Sequence, residues 1–137
     1  MQPNINFAGN AEEVLAFYRD AFGGDVEIMR FGGSPAAAMV PPDWANKVLY
    51  GTLRSPLGTL NIMDAPPGRG SPPGGNIALS IFTTTEAQTD TVFAKLSAGG
   101  EVMMPLEKTF WSERFGMCKD KFGTFWMISL AASGVPA

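Results

Sequence analysis

The sequence predicts an α+β fold in which two βαβββ modules form one curved, mixed eight-stranded sheet with the helices on its outer face. Three observations predict it. The stretch Phe115–Ser129 repeats Tyr50–Asp64 at a constant offset of 65, so that Gly51 meets Gly116, Arg54 meets Lys119 and Gly58-Thr59 meets Gly123-Thr124. A second match, at an offset of 76, sets Gly23-Gly24-Asp25-Val26 against Gly99-Gly100-Glu101-Val102 and Phe17 against Phe93. Between the two copies, residues 65–75 carry Pro66, Pro67, Pro72 and Pro73 together with four glycines, a composition that no regular element accommodates. Each half is too small to bury its own sheet, so the two are expected to pair within one domain spanning 1–137. Module one covers about 1–64, the linker 65–75, module two about 76–130 and a short tail 131–137.

Each element has a local cause. Ile5 and Phe7 alternate with Asn4 and Asn6, the pattern of a strand with one apolar and one polar face. Asn10 with Glu13 three places on has the form of a capping box, and Val14, Leu15, Phe17, Tyr18 and Phe22 recur at helical spacing until Gly23-Gly24 stops the run. A strand is predicted over 25–31. Gly32–Asn46 contains Gly33, Pro35, Pro41 and Pro42, with Trp44 as its large aromatic; such a connection is either a mobile flap or an arm that reaches a partner. A hairpin over 47–64 turns at Ser55-Pro56-Leu57-Gly58, and its copy turns at Asp120-Lys121-Phe122-Gly123, both with type I turn chemistry. The second module repeats the order: a strand over 76–83, a helix over 86–98 with Thr85 and Gln88 as its capping box, and Phe93 and Leu96 on its buried stripe.

Composition narrows the function. The 137 residues include 45% hydrophobic and 17% charged side chains and carry a net charge of -3, which gives no basic footprint for nucleic acid. No apolar run approaches the ~20 residues of a membrane span, and Met1-Gln2-Pro3-Asn4 has neither part of a signal peptide. A cytoplasmic location is therefore expected. The single cysteine, Cys118, excludes an internal disulfide and a cysteine zinc cluster.

The ordered set Asn6-Phe7, Gly9-Asn10-Ala11-Glu12-Glu13, Phe17-Tyr18, Phe22-Gly23-Gly24, Asp64-Ala65-Pro66-Pro67-Gly68 and Gly75-Asn76-Ile77 continues with Gly99-Gly100 and Met104-Pro105-Leu106. It closes with Thr109-Phe110-Trp111, Arg114-Phe115-Gly116-Met117, Asp120-Lys121-Phe122-Gly123 and Trp126-Met127-Ile128. Over nearly the whole chain this resembles the vicinal-oxygen-chelate superfamily, which contains glyoxalase I, the bleomycin and fosfomycin resistance proteins and the extradiol dioxygenases. Within it the resemblance is to the PhnB-like family, sometimes labelled 3-demethylubiquinone-9 3-methyltransferase. The resemblance implies a divalent metal held by His and Glu at matching places of the two halves, polarising two neighbouring substrate oxygens. The sequence has no histidine. The implied places fall on Asn76, Met127 and Ile62, and Asp64 is the one carboxylate at a plausible strand end, so a site without metal or other cofactor is expected. The methyltransferase label finds no support either: Gly23-Gly24 and Gly99-Gly100 end helices, where a S-adenosylmethionine cradle needs glycines that open one.

Candidate ligand-binding residues are Asn6, Asp64, Ser80, Trp111, Glu113, Arg114 and Met127; no catalytic residue is assigned. Asn6 and Ser80 occupy matching strands and are expected on the face away from the helices. Trp111 is suited to stack on a flat ligand with Glu113 and Arg114 as a charged clamp, or else to plug a seam beside a surface ion pair. Met127 stands at an implied metal place, while most other methionines and Cys118 read as core filling. Three functions follow. The leading one is a metal-independent small-molecule-binding homodimer. The others are a lyase, isomerase or dioxygenase-type enzyme using Asp64 or Glu113, and a dimeric interaction module with a vestigial cavity that buries Trp44 on its partner.

Overall fold

A computed structural model describes residues 1–70 and 74–131; residues 71–73 of the predicted linker and 132–137 of the predicted tail lie outside the described residues. The chain divides into two compact units, Met1–Pro72 and Pro73–Ala137. The first contains β1 (Asn4–Phe7), α1 (Ala11–Phe22), β2 (Asp25–Arg30), β3 (Val48–Ser55) and β4 (Gly58–Asp64); the second contains β5 (Ala78–Thr83), α2 (Glu86–Ser97), β6 (Glu101–Glu107), β7 (Phe115–Lys119) and β8 (Phe125–Leu130). All eight predicted strands and both helices are present. The strands form two four-stranded mixed sheets, ordered β1-β4-β3-β2 and β5-β8-β7-β6. In each, the first strand runs parallel to the last and the remaining pairs are antiparallel.

One face of each sheet carries the helix. In the first unit, Val14, Leu15, Tyr18 and Phe22 of α1 are buried with Leu53, Leu60 and Ile62 of the sheet; in the second, Val92, Phe93 and Leu96 of α2 are buried with Ile81, Trp126 and Ile128. Alternation then sends the neighbouring side chains of each strand to the opposite, helix-free face. The glycines matched at an offset of 65 lie under the helices: a methyl at Gly51 would stand 2.6 Å from the Leu15 side chain, and one at Gly116 would stand 2.8 Å from the Phe93 ring. The Gly-Gly stops are equally constrained. Gly23 and Gly99 have φ of +77° and +75°, while a methyl on Gly24 or Gly100 would press on the carbonyl oxygens of Arg54 and Lys119, themselves a matched pair.

The two helices start differently. Thr85 accepts from the Gln88 backbone N–H at 3.1 Å, and the Gln88 side chain accepts from the Thr84 N–H at 2.9 Å, so the predicted box forms with its return bond one residue earlier. The Asn10 box does not form. Asn10 has φ −113° and ψ 19° and makes no side-chain cap bond. Asp64 at the end of β4 replaces it, accepting from the N–H groups of Gly9 and Ala11, each at 2.9 Å.

The predicted arm contains two short 3-10 turns, Pro35–Met39 and Pro42–Trp44. Trp44, half-buried, packs edge-on against Phe31 of its own unit, with ring centroids 6.0 Å apart. The outer strand β6 pairs irregularly with β7, with register shifts between Val102 and Met104 and between Met104 and Glu107.

Replacing Gly24 by Ala adds a methyl 2.0 Å from the Arg54 oxygen at a φ of +96°, and should cost about 2–4 kcal/mol. Gly23→Ala, with no atom within 4 Å of the new methyl but with φ +77° and ψ −171°, a combination essentially confined to glycine, should cost less, about 1–3 kcal/mol of backbone strain without a clash. Urea denaturation of the two variants checks the difference.

Candidate functional site

Directly opposed residues on neighbouring strands share a face, so the ladders define what the helix-free faces present. In the second unit one row reads Ser80, Met127, Met117, Met104. The next, toward the C-terminal end of β5, reads Phe82, Ser129, Phe115, Glu107. The corresponding row of the first unit reads Asn4, Asn61, Thr52, Glu27. Asn6 pairs with Met63 in the row beside it.

Asn6 and Ser80 both stand exposed on the helix-free faces, as their alternation requires. Ser80 lies directly opposite Met127, whereas Asn76 precedes β5 in a bend. The first-unit counterpart of Met127 is Asn61, not the Ile62 given by a constant offset. Gly51 pairs with Ile62 while Gly116 pairs with Ile128, a shift of one residue. The cause is the turns. Ser55 pairs with Gly58 around two residues, while Asp120 donates to the Thr124 carbonyl across three, with Gly123 in the left-handed region at φ +95°, the common three-residue alternative. Sequence reasoning missed Asn61 for this reason; the period-2 parity of the strand after each turn is the signal that finds it, and Thr52, which precedes the turn, follows as its cross-strand partner.

Asp64 belongs to the other face. Its carboxylate is buried at 3% exposure, with one oxygen accepting from Gly9 and Ala11 and the other from the Val48 N–H at 3.0 Å. These bonds tie α1 and β3 to β4. Asp120, at 2% exposure, does the same for the second unit, accepting from the Phe122 and Thr124 N–H groups and from the Trp126 indole.

Trp111 lies in the loop between β6 and β7, and the clamp expected beside it is divided. Glu113 pairs with Lys108 at 3.5 Å, and Arg114 pairs with Asp90 of α2 at 2.5 Å. Trp111 itself sits edge-on between Phe110 and Phe115, with centroids at 4.7 and 5.3 Å, and Phe110 is 97% exposed. Ser112 anchors the loop, donating to the Leu130 carbonyl and accepting from Ser129. The result is an aromatic ladder rising from the sheet at Phe115.

On the helix side of the first unit, a groove between α1 and β2 has Leu15, Ala16, Val26 and Ile28 in its lining, with Glu12 and Arg19 beside them. Of its two acids, Glu12 and Asp20, the first is gripped by Arg30 through two bonds of 2.9 Å, which hold the Glu12 carboxyl below the usual carboxylate range. Cys118 faces α2. Burial, with a smaller contribution from Asp120, pushes its thiol up to about 12, so it is protonated and unreactive near neutral pH.

A model of the glyoxalase/bleomycin resistance protein/dioxygenase superfamily matches residues 6–128. The chain belongs to this superfamily. It is 30% identical to Protein YjdN of Escherichia coli (strain K12), over 95% of this chain and 94% of that protein. Protein PA1353 from Pseudomonas aeruginosa is 32% identical, with a TM-score of 0.84 over 95% of this chain and 96% of that one. The PhnB protein from Bacillus cereus, named provisionally as a 3-demethylubiquinone-9 3-methyltransferase, is 27% identical, with a TM-score of 0.72 over 96% and 98%.

Set against the metal that superfamily membership implies, the donors do not fit. The inner helix-free positions offer thioethers, hydroxyls and carboxamides, poor partners for a divalent first-row ion, while the carboxylates of these rows, Glu27 and Glu107, stand on the outer strands, Glu27 paired with Arg54. Asp64 faces the helix, and among the described residues no three His, Cys, Asp or Glu side chains are grouped to hold an ion. Both Gly-Gly pairs follow their helices, so the glycine turn that opens a nucleotide-binding helix is not formed there. No helix of the described residues is long and apolar enough to cross a membrane.

Two predictions follow from the buried groups. Asp64→Ala leaves three backbone N–H groups without their acceptor and should lose about 3 kcal/mol or more of stability, with Asp64→Asn intermediate, as read by urea denaturation. Between about pH 8.5 and 12 the Cys118 thiol ionises in the unfolded chain but stays protonated when folded. The unfolded state then binds fewer protons, so stability falls as pH rises through that window and gains nothing below it. Cys118→Ala should show a shallower alkaline loss.

Proposed function

We propose that this protein is a metal-independent small-molecule-binding member of its superfamily, acting as a homodimer, with its ligand held on the helix-free sheet surface. The observation that carries the reading is the identity of the residues at the implied metal places. Met127 faces Ser80, and their first-unit counterparts are Asn61 and Asn4, groups that grip no transition ion but suit an organic molecule with apolar and hydrogen-bonding parts. The aromatic ladder ending at Phe110 and Trp111 extends that surface.

The enzyme reading has less support, since Asp64 is spent on backbone N–H groups and Glu113 is an exposed partner of Lys108.

Thermal shift across a metabolite and antibiotic panel, run with and without EDTA, tests the proposal. A ligand at a hundred times its Kd adds about 2.7 kcal/mol, a rise of several degrees in Tm, which should survive the chelator. Light scattering should give twice 14.6 kDa. Stoichiometric manganese, iron or nickel in untagged purified protein, or binding that EDTA abolishes, would overturn the reading.

A further inference from the structure

Sulfur is concentrated in one part of the second unit. Of the eight methionines, three stand in consecutive places of a single row on the helix-free face, where Met127 opposes Met117 and Met117 opposes Met104 across β8, β7 and β6. Directly opposed side chains in a sheet have Cβ atoms about 5 Å apart, so the three thioethers form one continuous apolar strip. The next row adds Phe82 and Phe115. The matching row of the first unit, Asn4, Asn61, Thr52, Glu27, contains no sulfur.

All three methionines are half-buried, so part of each side chain meets solvent and a water-sized hydroperoxide has access. A thiol must ionise before it reacts; a thioether need not. Its sulfur lone pair attacks one peroxide oxygen, and the O–O bond breaks as the S–O bond forms. The proton of the transferred hydroxyl ends on the leaving oxygen, which departs as water; sulfur is oxidised by two electrons and the peroxide is reduced by two. Cys118, the other sulfur of this hairpin outside the row, is fully buried.

The product is a polar group in an apolar place. A sulfoxide oxygen accepts hydrogen bonds and donates none, and the one donor side chain in the row is Ser80, opposite Met127. New oxygens on Met117 and Met104 are therefore satisfied by water. An apolar ligand laid on the row has to remove that water without replacing its bonds, which opposes binding.

We infer, resting on the binding reading above, that this methionine row is a redox switch for the site: hydroperoxide converts it to sulfoxides and expels an apolar ligand, and thiol-dependent reduction of the sulfoxides, which releases the oxygen as water, restores binding.

Nile red, a neutral apolar dye, is titrated into the full chain before and after hydrogen peroxide, with the oxidised residues located by peptide mass spectrometry. Oxidation of Met104, Met117 and Met127 is expected to weaken dye binding about tenfold or more, and methionine sulfoxide reductases A and B with dithiothreitol are expected to return it. Met29, Met39 and Met103 are more exposed, at 58%, 63% and 49%, and oxidise as well. M29L/M39L/M103L is therefore expected to keep the peroxide response, while M104L/M117L/M127L, whatever its starting affinity, loses it. The switch is overturned if the row stays unoxidised, if the oxidised wild type binds the dye unchanged, if the loss accompanies unfolding by circular dichroism, if the reductases do not reverse it, or if the wild type binds no dye. The wild-type cycle of oxidation and reduction decides even where a variant does not fold. Failure here with a positive thermal-shift panel refutes the switch and spares the binding reading; failure of both refutes both.

Discussion

A buried carboxylate receiving three N–H groups is the constraint on which the first unit depends. Asp64 closes β4 and gathers the start of α1 and the start of β3 onto one side chain. An ionised carboxylate is costly to bury unless its lone pairs are filled, and here the backbone fills them. The bonds fix where the helix leaves the first strand, and the helix in turn decides which sheet face is closed. The other face carries Asn4 and Asn6, which are exposed, and Asn61, which is buried. Asp120 has the equivalent part in the second unit from a different place in the chain, holding a hairpin loop and the Trp126 indole beneath α2.

Much of this was legible before any coordinates. The repeat predicted two matching hairpins, the Gly-Gly stops predicted the ends of both helices, and alternation placed Ile5 and Phe7 opposite Asn4 and Asn6. What stayed hidden depended on contacts distant in sequence. Asn10 has a favourable capping residue type, yet an acid fifty-four positions later caps the helix. The four-residue turn segments look alike in residue type, yet one closes around two residues and the other around three, and a single residue of difference inverts the face of everything after it. The Glu113–Arg114 neighbourhood suggested a clamp because adjacency in sequence is visible and the reach of Arg114 to Asp90 is not.

The two halves have kept their backbone and exchanged their surface chemistry. Under the helices the matched positions remain glycine, since Leu15 and Phe93 leave no room for a methyl. On the helix-free faces the matched positions have diverged into amides and hydroxyls in one unit and thioethers and rings in the other. Packing constrains the first set and not the second, which is why membership of the superfamily fixes the scaffold and leaves the function to be argued from side chains.

The outermost strand of the second unit has a further consequence. With Pro105 within it, two slips in its pairing and a glutamate at each end, β6 presents a broken row of hydrogen-bonding groups to any approaching chain. A sheet face rich in methionine and phenylalanine can thus end in this strand without inviting fibre growth along its border.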